Sequence, residues 1–298
     1  LEKNIQDLIE NNVDILFNLE FISTEFSVSD FRLDTLCFDN ETNSFIIIEY
    51  KRGSSYSVID QGYSYMSVML NNKSDFILEY IEKTGRSIKR EEIDWSQSRI
   101  LFISQSFNSY QKNSINFKDV PFQLWEIKKF SNSTISLNQH LPSSKESIQN
   151  IEGDKNSIIK DVGKEVKVFE EDDHTSKIGK KLLLNWNKLK DSVLKLEGLE
   201  IIPKRGYITF MLGNKTVGFC TFRKEHIFIV FNRGNLKNNG TKSRNFFEID
   251  DPKTLTKIKE WTYKDGTKGS EYKFRFDKNS DIDYTMFLIK QKYNNILN

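Results

Sequence analysis

The 298 residues include 44 basic and 42 acidic side chains, for a net charge of +2, with 37% apolar residues, 29% charged residues and only 4 prolines. That composition excludes a disordered chain and calls for a packed core. The length suits two domains, and the near balance of charge leaves the partner open.

Cys37 and Cys220 stand far apart and suit neither a disulfide framework nor a structural zinc site, so both read as buried thiols. No apolar run approaches the roughly 18 residues that span a bilayer, and no charged-then-apolar leader opens the chain. The expectation is a cytoplasmic protein with no membrane contact.

Residues 2–16 place Ile5, Leu8, Ile9, Val13 and Leu16 at helical spacing. Three strands are predicted next, over 21–28, 32–38 and 44–51, with Asp39-Asn40-Glu41-Thr42-Asn43 supplying a turn between the last two. Ser57 reads as the N-cap of a helix over 58–70 that continues through Phe76 to Ile81. A buried strand (99–104), a short helix (110–115) and a further strand (122–127) complete the first half. Residues 141–176 turn to Ser, Lys, Glu, Asp and Asn without sustained periodicity and read as a polar linker. Beyond it come a helix over 178–196, strands over 207–212, 216–222 and 226–231, a helix over 251–261, a strand over 272–276 and a closing helix over 282–296. Domains are therefore expected at 1–140 and 177–298.

The chemistry concentrates in residues 32–52, RLDTLCFDNETNSFIIIEYKR. If Asp39 faces Ser44, Asp34 lies opposite Glu49 and Arg32 opposite Lys51, all four on one face. Two carboxylates facing one another at about 5 Å repel by about 3 kcal/mol at an effective dielectric near 20. A divalent cation removes that penalty, and oxygen ligands with retained waters suit Mg²⁺ or Mn²⁺. Such a cation polarises a phosphodiester and lowers the pKa of a bound water, while Lys51 can orient the water or stabilise developing charge. The alternative is a pair of diagonal salt bridges, Asp34 with Lys51 and Glu49 with Arg32, on a solvated strand. Against it stands the apolar run Phe45 to Ile48, which leads into Glu49 and belongs to a strand buried on both faces.

This stretch resembles the PD-(D/E)XK nuclease superfamily, in which an Asp on one strand and a Glu-x-Lys on the next form the metal site. Here the matching residues are Asp34 and Glu49-Tyr50-Lys51. More narrowly, ArgLeuAsp followed by IleIleIleGluTyrLysArg is similar to the catalytic domain of archaeal and actinobacterial mismatch endonucleases and their uncharacterised relatives, in the RecB-like branch. The resemblance covers about residues 1–135. It implies an α/β, restriction-endonuclease-like core of αβββαβ order, a mixed sheet flanked by helices. The RecB-like Gln-x-x-x-Tyr falls on Gln61 and Tyr65, which share one helical face, and a helix carboxylate at the metal falls on Glu2, with Glu10 as second choice. Arg32 and Arg52, flanking the acidic pair, are expected to contact nucleic acid. The mismatch enzymes carry an N-terminal DNA-binding and dimerisation domain that has no match within these residues, so mismatch specificity is not expected to carry over.

The second half resembles a small α+β domain of unknown function found appended to such nuclease-like domains, sometimes under a transport label that a chain without spans does not support. Basic and aromatic residues interleave there at Phe222-Arg223-Lys224, Phe231-Asn232-Arg233 and Lys242 to Phe247, a pattern that suits nucleic-acid contact and equally a core beside solvated charges. His140, His174 and His226 are too scattered for a metal cluster or a nucleophile-base pair. The expectation is a Mg²⁺- or Mn²⁺-dependent nuclease acting on DNA, in repair or defence, as a homodimer if it cuts both strands of a duplex. The other reading is a catalytically silent module of nuclease fold that binds nucleic acid or a protein.

Overall fold

The computed structural model describes residues 2–51, 57–132, 134–144, 146–148, 156–213, 215–236, 239–243, 246–262 and 267–297, the side chains of Glu2, Asn156 and Ser157 excepted. The chain divides into two compact units, Leu1–Val168 and Phe169–Asn298.

The first unit begins with two helices, α1 (Glu2–Glu10) and α2 (Val13–Phe17), in place of the single one expected. Asn11 and Asn12 break it, because their side-chain amides donate to the carbonyls of Asp7 and Leu8 at 2.7 and 2.8 Å and compete with the helical ladder. Strands β1 (Glu20–Val28), β2 (Phe31–Asp39) and β3 (Ser44–Lys51) form an antiparallel meander. Helices α3 (Val58–Asn71) and α4 (Lys73–Thr84) follow, and the Ser57 hydroxyl accepts the Asp60 N–H as the cap. Next come β4 (Arg99–Ser104), α5 (Ser109–Ser114), β5 (Phe122–Lys129) and an additional strand, β6 (Ile135–His140). The sheet runs β1-β2-β3-β4-β5-β6, with β3, β4 and β5 mutually parallel and β6 antiparallel to β5.

Both faces of this sheet are covered, which is why β3 is an unbroken apolar run. Phe45 and Ile47 pack beneath α3 and α4 with Leu36, Phe38, Met66, Met69 and Phe76. Ile46, Ile48 and Tyr50 pack on the opposite face with Ile9, Val13 and Cys37. Gly62 lets α3 settle onto the sheet: a Cβ there would stand 2.6 Å from the Phe122 ring.

The expected linker is not one. Ile148, Val162 and Val166 belong to the first core, and α6 (Asn156–Glu165) packs on α3. A few apolar residues widely spaced among Lys and Ser show no run, yet each fills a place in the packing. After α7 (Asp172–Thr175) and α8 (Lys180–Val193), the second unit forms an antiparallel sheet. Its strands are β7 (Leu199–Pro203), β8 (Ile208–Leu212), β9 (Lys215–Arg223), β10 (His226–Leu236), β11 (Lys257–Thr262) and β12 (Lys268–Phe276), in the order β11-β12-β10-β9-β8-β7. The closing helix α9 (Ile282–Leu297) packs with α8 on one face, around Trp186, Phe210, Phe231 and Phe276. A helix expected over 251–261 is instead a loop and the edge strand β11, whose pairing to β12 is made by backbone hydrogen bonds. β11 buries little, so its pattern carries no period-two apolar signal.

Candidate active site

β2 and β3 pair in the register the turn implies: Asp39 opposes Ser44, Phe38 opposes Phe45, and so on to Thr35 opposite Ile48. The ladder stops there, because the Asp34 Oδ2 accepts the Tyr50 N–H at 2.9 Å and a carboxylate closes that side of β3. On its other edge β3 stays paired, with Glu49, Tyr50 and Lys51 opposite Phe102, Ile103 and Ser104 of β4. The strand end is thus held from one side and opened toward Asp34 on the other.

Glu49 is 5% exposed. Its Oε1 accepts three donors: Lys51 Nζ at 3.0 Å, Gln61 Nε2 at 2.8 Å and the Tyr65 hydroxyl at 3.3 Å. Gln61 Nε2 also donates to the Tyr65 oxygen at 2.8 Å. The i, i+4 spacing of Gln61 and Tyr65 delivers both from one face of α3. The second oxygen, Oε2, is buried with no hydrogen-bond partner. An unsatisfied buried acceptor costs about 1–3 kcal/mol, more when charged. Among the described residues, then, Glu49 is gripped by one oxygen and bare at the other.

Asp34 shares the problem. Burial, then the neighbouring Glu49 carboxylate, push its pKa up to about 7, against the opposing pull of the Tyr50 N–H and Lys51. Burial raises Glu49 as well, and Lys51, Gln61 and Tyr65 offset part of that rise. Burial, followed by the charge on Glu49, raises the Tyr65 hydroxyl to about 12, so it serves as a donor. Among the described residues no group of three or more His, Cys, Asp or Glu side chains forms a ready-made metal cluster. The donor set is the carboxylate pair, whose shared negative charge and free oxygen fit a hard divalent cation that keeps some of its waters.

Glu49, Lys51, Gln61 and Tyr65 meet in one hydrogen-bonded group beside Asp34. The diagonal salt bridges do not form: Lys51 pairs with Glu49 of its own strand, and Arg32 pairs with Glu25. Glu2 opens α1, with its side chain outside the described residues, as is Arg52. Glu10 lies on the opposite face of the sheet, where its Oε1 accepts Thr35 Oγ1 at 2.6 Å and Gln6 Nε2 at 3.0 Å. It is corrected as a candidate ligand, because Thr35 points away from the face that carries Asp34. Gln6, on the same helix stripe as Glu2 and Glu10, donates to the Asp34 carbonyl at 3.0 Å and ties α1 to the site from behind.

One residue was missed. Glu25 occupies the β1 position opposite Asp34, between the pairs Thr24–Thr35 and Phe26–Leu33, with a left-handed φ of 53°. Its charge adds to the rise in the Asp34 pKa. Strained backbone concentrates at functional sites, but only the β1–β2 register reveals this residue. A pocket of about 530 Å³ lined by Glu10, Asp14, Glu20, Glu41 and Arg86 reaches the β2–β3 turn. Asp34 and Glu49 stand at the other end of that hairpin.

The chain is 37% identical to an uncharacterized protein of Haemophilus influenzae over 294 residues, 98% of this chain and 92% of that one. It belongs to the family of that protein. No family model matches. Among solved structures, a repair endonuclease from Pyrococcus abyssi matches over 39% of this chain and 42% of that one, at 18% identity and a TM-score of 0.23. This chain spans less than half of the solved one, and at that score the likeness decides neither fold nor activity. No helix among the described residues is long and apolar enough to cross a membrane.

Proposed function

We propose that the first unit is a metal-dependent nuclease that hydrolyses phosphodiester bonds in DNA. The observation that carries this reading is the divided Glu49 carboxylate, with three donors on Oε1 and, among the described residues, none on the buried Oε2, beside a second carboxylate whose pKa is pushed up to about 7 by burial and then by repulsion from Glu49. A purely structural role leaves that oxygen and that repulsion without compensation.

Asp34 and Glu49 would hold a Mg²⁺ or Mn²⁺ ion. When bound, the ion supplies Lewis-acid stabilisation of phosphate charge and a more acidic water. Lys51, its ammonium fixed on Glu49 and 5.8 Å from the Phe102 ring centroid, places a positive charge where the phosphate would enter. Gln61 and Tyr65 act through Glu49 as positioning residues, fixing which of its oxygens stays open. DNA as the substrate follows from the resemblance in residues 32–52.

The test is cleavage of labelled single-stranded and duplex DNA in Mg²⁺, Mn²⁺ and EDTA by the full chain and by Glu49→Gln, with calorimetric titration of Mn²⁺. Cleavage that needs metal and vanishes in the variant establishes the reading. Absence of both cleavage and Mn²⁺ binding ends it and leaves a binding module.

A further inference from the structure

In the second sheet, Ile227, Ile229 and Phe231 of β10 pack toward α8 and α9, so the period of two turns His226 and Phe228 to the opposite face. The register extends that face across four strands. Arg223 of β9 opposes His226, Arg275 of β12 opposes Phe228, and Lys273 of β12 opposes Lys257 of β11. Arg223, Lys257 and Arg275 are exposed, while Lys273 and Phe228 are half-buried. The Lys273 ammonium lies 3.9 Å from the Phe228 ring centroid, and the His226 ring meets the same Phe edge-on at 4.5 Å.

Asp277 stands 3.6 Å from Arg275, and Glu271, one position along, pairs with Lys259 at 3.7 Å. Lys257 and Lys273 are like charges directly opposite in a sheet, an arrangement that destabilises pairing unless an anion lies between them. His226 reports the same field: burial, then Arg275 and Arg223, hold its pKa below the usual value, and its Nε2 has no partner.

We propose that this face of the second unit binds single-stranded nucleic acid, with phosphates on Arg223, Lys257, Lys273 and Arg275 and a base stacked on Phe228. A flat sheet bearing cations around an aromatic ring is the surface that stacks unpaired bases and tracks their backbone. Lys273 on its flexible stem vacates the ring for a phosphate when a base arrives. An anionic membrane would instead favour apolar groups standing above the cations, whereas here the ring lies under an ammonium. The choice of ligand rests on the nuclease reading, so the test reads binding and not cleavage.

The full chain in EDTA is titrated onto a fluorescein-labelled single-stranded DNA 20-mer and followed by anisotropy at several salt concentrations. The variant Arg223→Ala/Lys273→Ala/Arg275→Ala is expected to bind about tenfold more weakly or worse, with a salt slope shallower by about 2. Phe228→Leu is expected to lose about fivefold toward the oligonucleotide and nothing toward inorganic polyphosphate. The proposal is overturned by unchanged affinity in a triple variant that melts like the wild type. Equal response to polyphosphate with no effect of Phe228→Leu, preference for duplex, or stronger capture by phosphatidylserine vesicles overturns it as well. If the triple variant does not fold, Lys257→Ala and Arg275→Ala are each expected to weaken binding about threefold, and no change in either overturns it. Oligonucleotide binding with neither cleavage nor Mn²⁺ binding keeps this inference and removes the nuclease reading; cleavage without these effects does the reverse.

Discussion

Each of the two sheets sets like charges near one another, Asp34 beside Glu49 in the first and Lys257 opposite Lys273 in the second. The settings differ. Glu49 sits at the end of β3, a strand buried on both faces, and is 5% exposed, while Asp34 is half-buried on the neighbouring β2. Lys257 is open to solvent at the edge of its sheet. Coulomb repulsion scales inversely with the effective dielectric, so the same arrangement that costs several kcal/mol under cover costs tenths in water. Repulsion under cover is the stronger sign of function, because water does nothing to relieve it.

The largest expected effect comes from removing that function. Glu49→Ala, or Lys51→Ala, is expected to reduce single-turnover DNA cleavage by about 10²–10³-fold or more, the scale on which a preorganised electrostatic group contributes. Activity within about threefold of wild type in both variants would break the comparison, since the buried pair would then be structural.

Next is the support beneath it. Gly62→Ala sets a methyl against the Phe122 ring, 2.6 Å from the new Cβ. Overpacking of this kind costs about 1–3 kcal/mol, to be read as a lower urea midpoint at unchanged m-value. Because Gln61 precedes Gly62 on α3, cleavage should fall in the same variant. A loss of stability with full activity would show that Gln61 does not need its present position.

The third prediction concerns pH. Asp34 titrates near 7 in the folded chain and near 3.8 as a free side chain. Between those values the folded state binds more protons than the unfolded one. Its stabilising effect is therefore complete below about pH 4 and is lost as pH rises through 7. Without metal, the wild type should lose on the order of 1 kcal/mol between pH 5 and pH 8 from this group, after allowance for its partial exposure. Asp34→Asn, whose amide oxygen can still accept the Tyr50 N–H, should lack that loss and melt higher than wild type at pH 8. Added Mn²⁺ should raise the melting temperature of the wild type alone.

Much of the first unit was legible because its signals are local. A turn of Asp, Asn and Thr that sets Asp39 opposite Ser44 fixes the register of β2 and β3, and that is the register found. Ser57 caps its helix, and an i, i+4 pair points both its side chains the same way. The illegible parts depend on partners distant in sequence. Ile148, Val162 and Val166 look like strays in a polar stretch until α3 receives α6. β11 gains its ladder from β12 without burying a face. Glu25 acquires significance only when β1 lies beside β2, and Glu10 loses it when α1 proves to lie on the far side of Thr35.

The smallest prediction is the solvent-side counterpart of Asp34→Asn. Lys257→Ala removes one of two facing cations, as Asp34→Asn removes one of two facing carboxylates, but here water already screens the pair. The expected gain in stability is about 0.2–0.5 kcal/mol, close to the ordinary scatter of surface substitutions, and it should vanish in about 1 M salt, where the screening length is roughly 3 Å. The gain at Asp34 should persist for the larger part in the same salt, because burial, which salt does not screen, is the largest cause of the rise in its pKa. A salt-sensitive gain at Asp34 would mean that screened repulsion and not burial sets it, and the covered setting would then no longer separate this pair from the lysines. A salt-insensitive gain at Lys257 would place that lysine under cover in solution and remove it from any surface on which nucleic acid could lie.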